Sequence, residues 1–173
     1  MKSKFKKTSL MGLLFLVFIS AINAQSRKKA QKDTEEWRYE IEAVNVGVQG
    51  TYLIKAWTYS KKPGIAIEQA KKNAVHGVIF KGFAGKQGIP GQKPLVSNVN
   101  LEEEKVDFFK PFFKDGGKYM KFVTISNDGN VGLGDRLKVG KEYKIGVLVS
   151  VNVSELRRDL EDAGIVKGLG AGF

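Results

Sequence analysis

The chain has 173 residues, 42% of them hydrophobic, and carries a formal net charge of +11 with no cysteine and one histidine. The missing cysteines exclude disulfides, thiol nucleophiles and thiolate metal sites. A metal site built on the one histidine would have to take its remaining ligands from carboxylates.

The first nine residues hold Lys2, Lys4, Lys6 and Lys7 and no acid, and residues 10–22 form an almost unbroken apolar run ending at Asn23 and Ala24. A basic start, a short apolar stretch and a small residue before the cut are the pattern of a cleavable signal peptide. The run falls short of the roughly 20 apolar residues that a spanning helix needs. Residues 1–24 are therefore predicted to be removed, with the mature chain starting at Gln25, in the periplasm or outside the cell, and without a transmembrane span. Removal takes away four lysines and leaves 149 residues with a net charge of +7, enough for one domain with a real core. A secreted domain without disulfides suits a bacterial envelope.

Residues 25–36 carry Arg27, Lys28, Lys29 and Lys32 and show no apolar period, which predicts a disordered basic leader. Its four cations are the candidate contacts to an anionic lipid or polysaccharide surface. The domain is expected over residues 37–166. Trp37, Tyr39, Ile41 and Ala43 alternate with polar residues as a half-buried strand does. Residues 51–60 predict a second strand with apolar residues on both faces, a pattern that allows both to be covered. After Pro63 and Gly64, Ile67, Ala70, Ala74, Val75 and Val78 recur at helical spacing, with Gly82 as the stop. Glycines at 82, 85, 88 and 91 predict a flexible loop over 84–94.

Asn100 followed by Glu103 has the form of a capping box at the head of a helix with Leu101, Val106 and several phenylalanines, which Pro111 shortens or bends. Residues 118–126 predict a third strand, and Asn127, Asp128 and Gly129 a turn. Unbroken alternation from Tyr143 to Val153 predicts the strongest strand in the chain. A last helix follows, capped by Ser154, and residues 167–173 form a flexible glycine-rich tail. The fold class is α+β: an antiparallel or mixed sheet of about four strands with two to three packed helices. An eight-stranded outer-membrane barrel is the alternative, disfavoured by the helical segments.

No residue pattern carries catalysis. His76 lies among apolar helix neighbours, and nothing in the sequence marks a nucleophile or an orienting acid for it. Glu102, Glu103 and Glu104 are consecutive, point to different sides of a helix and suit its first turn. The glycines at 132 and 134 lack the third of a dinucleotide fingerprint, and the sequon at Asn152 reads as a helix start. No catalytic residue, cofactor or metal is expected. The alternative activity, a cell-wall hydrolase with a carboxylate pair, offers only Asp107 and Asp128. Phe108, Phe109, Phe112 and Phe113 exceed what one helix face buries and form the candidate interaction surface for an envelope protein, with Phe109, Phe112 and Val106 filling the core and Phe108 outward. Scattered basic residues without a binding motif disfavour nucleic acid.

Three stretches carry a resemblance: residues 50–57 (GTYLIKAW), 66–75 (AIEQAKKNAV) and 149–160 (VSVNVSELRRDL). In layout the chain resembles the N-terminal domain of flagellar assembly protein T and related small outer-membrane-associated lipoproteins of Gram-negative bacteria. The lipoprotein cysteine is missing. The resemblance implies a non-catalytic α+β module in envelope or appendage assembly, and it transfers no active-site residue.

Overall fold

The structure is a computed structural model, and it describes residues 36–168 apart from 49 and 87. The signal segment, the leader with Arg27, Lys28, Lys29 and Lys32, and residues 169–173 of the tail lie outside the described residues. Alternation of apolar residues generates the long strands. In chain order the elements are β1 (Tyr39–Val46), β2 (Thr51–Ser60), α1 (Pro63–Phe80), α2 (Leu101–Glu104), α3 (Val106–Phe113), β3 (Val123–Ile125), β4 (Arg136–Val139), β5 (Glu142–Asn152) and α4 (Val153–Asp162). All strand pairs are antiparallel. The order is β1-β2-β5-β3, with β4 also on β5. β2 occupies the whole of one edge of β5, from Tyr143 to Asn152, so β3 and β4 share the opposite edge at its two ends.

The period of two sends Ile54, Ala56 and Thr58 of β2, and Ile145, Val147, Val149 and Val151 of β5, to one face. There α1 lies against them through Ala66, Ala70 and Ala74, all fully buried. Small residues at i, i+4 and i+8 let the helix axis sit close, so that Val75, Val78 and Ile79 reach the sheet. Each fully buried Val or Ile contributes about 1.5–3 kcal/mol. The one hydroxyl among them is satisfied: Thr58 Oγ1 donates to the Ala66 carbonyl at 3.1 Å. Leu156 and Leu160 of α4 join the same core. The architecture is the expected α+β class, an open sheet with helices on one face.

The structure departs from the sequence reading in several places. The fifth strand, β4, is exposed along its whole length and so carries no core-facing alternation. Residues 118–122 form a 3₁₀ turn that buries Tyr119 and Phe122, and only Val123–Ile125 is strand. The helix expected from Asn100 breaks at Lys105. Asn100 makes no side-chain cap; Asn98 instead accepts from the Asn100 amide at 2.9 Å and donates to Glu104 at 2.9 Å. In α4 the cap is Asn152, whose side chain accepts from the Glu155 amide, and not Ser154. The loop over 84–94 folds back on itself with Phe83 paired to Gln92 and Lys86 to Ile89. Gly85 and Gly91 make that approach possible, since a Cβ on Gly91 would come within 2.7 Å of the Gly85 nitrogen. No helix among the described residues is long and apolar enough to cross a membrane.

Candidate functional site

Where the chain enters β1, Trp37 sits outside the strand with φ at +46°. A bulky residue in that region of backbone space carries about 1–3 kcal/mol of strain and persists only where its surroundings hold it. Here the indole stacks on the imidazole of His76, centroid to centroid at 3.4 Å, and meets Phe113 edge-on at 5.2 Å. The Trp37 carbonyl accepts from Lys81 Nζ at 3.2 Å.

His76 projects from the middle of α1 and is 3% exposed. Its Nε2 lies 3.0 Å from a Glu102 carboxylate oxygen and its Nδ1 lies 2.5 Å from the Tyr39 hydroxyl. A carboxylate only accepts, so Nε2 carries the proton and Nδ1 accepts from Tyr39 O–H. One neutral tautomer thus satisfies both ring nitrogens. Burial pushes the His76 pKa below its ordinary value; Glu102 pulls against that shift and Lys81 adds to it. Burial, reinforced by Glu102, holds the Tyr39 hydroxyl firmly protonated.

Beside this pair of stacked rings opens a cleft of about 560 Å³. Trp37, Phe109, Phe113 and Val106 give it apolar walls, while Lys72, Lys110 and Lys114 and the acids Glu102, Glu103 and Asp115 line it with both signs of charge. Lys72 is held by Asp115 at 2.9 Å. The helix break at Lys105 lets α2 present Glu102 and Glu103 to the cleft before α3 brings its aromatic rings.

Of the four phenylalanines singled out from the sequence, Phe109, Phe112 and Phe113 are buried. Phe108 is half-buried against Phe109 and Phe112. Phe109 and Phe113 serve twice, as core residues and as cleft wall. Val106, expected in the core, is half-exposed on the cleft instead, because the new start of α3 turns its first residue outward. Asp107 and Asp128 are both exposed on separate elements, and neither lines the cleft. Glu102 and Glu103 share it, contrary to the expectation for consecutive helix residues. Among the described residues no group of three or more histidines and acids is placed to hold a metal ion. The site residues that sequence reasoning missed are Trp37, Tyr39 and Glu102. Tyr39 and Glu102 stand 37 and 26 residues from His76, too far for any local spacing to show. Comparisons with protein family models, with curated proteins and with solved structures found no match to this chain.

Proposed function

We propose that the protein is an exported, non-catalytic binding module of a bacterial envelope or cell surface, and that its cleft takes an apolar segment of another envelope protein. The observation that supports this reading is Trp37: a strained aromatic residue braced against His76 and presented at the wall of a cleft. Apolar side chains of a guest would meet Trp37, Phe109 and Phe113, and the lysines and acids at the rim can pair with its polar groups. The signal pattern, and the resemblance in layout to the flagellar assembly protein T domain, favour export and an assembly role.

The test is site-specific photo-crosslinking in the native envelope. A probe at Val106, on the cleft, captures a defined partner, whereas one at the fully exposed Leu133 does not. Equal capture at both positions counts against the cleft. N-terminal sequencing of the exported protein should begin at Gln25.

A hydrolase is the second reading, because Glu102 and Asp115 both face the cleft and a carboxylate pair is what glycoside cleavage needs. Peptidoglycan zymography separates the two. A clearing zone abolished by E102Q would replace the binding reading with catalysis.

A further inference from the structure

Residues 133–142 read Leu-Gly-Asp-Arg-Leu-Lys-Val-Gly-Lys-Glu, aliphatic and basic residues side by side. The segment folds as a short 3₁₀ turn at Leu133, the strand β4, a tight turn at Gly140 with φ at +60°, and the start of β5. The period of two puts Leu137 and Val139 on one side of β4 and Arg136 and Lys138 on the other. Both rows are exposed, because β4 lies at the margin of the sheet with β5 as its strand neighbour. Leu133 is fully exposed, and Leu137 and Val139 keep 48% and 43% of their surface in water.

The charges here are unequally committed. The two carboxylates of the segment already hold cations from elsewhere in the chain: Asp135 takes Lys55 at 2.8 Å and Glu142 takes Arg38 at 3.1 Å. The Arg136 guanidinium lies 4.5 Å over the Tyr143 ring. Arg136, Lys138 and Lys141 have no carboxylate partner among the described residues. β2 leaves the sheet at Ser60, opposite Tyr143, so exposed Lys61 emerges beside the same turn and adds a fourth unpaired cation.

Cations on an edge strand blunt it against pairing with another chain, and lysines alone suffice for that. They do not account for three exposed aliphatic side chains set among them within seven residues. A soluble polyanion would meet the cations and leave the aliphatic residues in water. An anionic bilayer meets both, with phosphates for the cations and the acyl boundary for the apolar side chains.

We infer that the β4–β5 hairpin and the turn before it form a docking edge for an anionic lipid bilayer. Arg136, Lys138 and Lys141 lie at the lipid phosphates, and Leu133, Leu137 and Val139 reach the boundary of the acyl chains. Contact is shallow, because the free backbone edge of β4 needs hydrogen-bond partners that head groups and water supply and hydrocarbon does not. The site is separate from the cleft and stands whether or not the cleft binds a protein.

The chain has no cysteine, so one introduced cysteine is a unique labelling position. L137C, in residues 25–173, carries an environment-sensitive fluorophore. V48C is the control: Val48 is also aliphatic, is 81% exposed, and lies in the β1–β2 turn at the opposite end of the sheet. With vesicles of phosphatidylglycerol and phosphatidylcholine, the label at 137 should brighten, shift to the blue and be quenched by brominated acyl chains. The label at 48 should stay as it is in buffer. K138A/K141A should bind these vesicles about thirtyfold more weakly, the scale of two cations near an anionic surface, with an unchanged melting curve. Equal responses from the two labels, no response at 137, or an unchanged affinity of the double variant overturns the inference. So does an equal response to phosphatidylcholine alone, or to dextran sulfate, which would make the partner a soluble polyanion. Both labelled positions are exposed, so the comparison of labels decides the matter even if K138A/K141A does not fold.

Discussion

His76 shows how a single side chain can be visible in a sequence while its chemistry is not. Its position among Val75, Val78 and Ile79 predicts burial, and burial is what the structure gives. The Tyr39–His76–Glu102 hydrogen bonds depend on a hairpin strand and a helix break that no spacing rule connects. The consequence is a pH dependence with a definite sign. Burial lowers the folded-state pKa of His76 below the ordinary 6.5, so on acidification the unfolded chain takes up this proton first. The stability it confers is present above pH 6.5 and is lost as the pH falls below that value toward the folded pKa. H76F, which keeps a flat ring under Trp37 but cannot titrate, should flatten the stability profile between about pH 5 and 7. At neutral pH the same change should cost about 1–3 kcal/mol, because the Tyr39 hydroxyl loses its acceptor inside the protein. Chemical denaturation across that pH range checks both, and parallel profiles for the two proteins would remove His76 from the account.

Among the elements, α3 was legible as an aromatic excess and its outcome is divided. Phe112 packs against Phe113 and Phe122 in the core, and F112A should cost about 3–5 kcal/mol. F108A should cost roughly half as much, since that ring keeps part of its surface in water and leaves a smaller cavity. Equal costs, measured by denaturant titration, would mean that Phe108 is a core residue. In α1 the small side chains of Ala66, Ala70 and Ala74 are fully buried against the sheet. A70L should destabilise by about 1–3 kcal/mol through overpacking, whereas the same change at an exposed helix position should be nearly neutral. The elements that escaped notice share a cause. The exposed strand β4 and the 3₁₀ turn at 118–122 are set by tertiary pairing and burial, which leave no period of their own in the sequence.

For the whole molecule, the fold class followed from two strong alternating segments around one helical one, because each is long enough for its period to stand out. The cleft was not legible, since it assembles residues from distant segments. Net charge does yield a prediction at this scale. Residues 25–173, at +7 by composition, should bind anionic vesicles weakly and with a steep loss on raising salt; binding that ignores salt would point to a specific lipid site. The place of β5 in the sheet has a consequence for how the molecule comes into being. β2 ends at Ser60, yet its central partner does not begin until Glu142. A chain emerging N-terminus first must hold the β1–β2 hairpin and α1 with their apolar faces uncovered until the last quarter has appeared. Closure is then a single late event. A fragment ending at residue 140 should accordingly stay unstructured, and adding a separate peptide of residues 141–168 should restore the native circular dichroism. A fragment already folded without that peptide would show that the sheet does not wait for its middle strand.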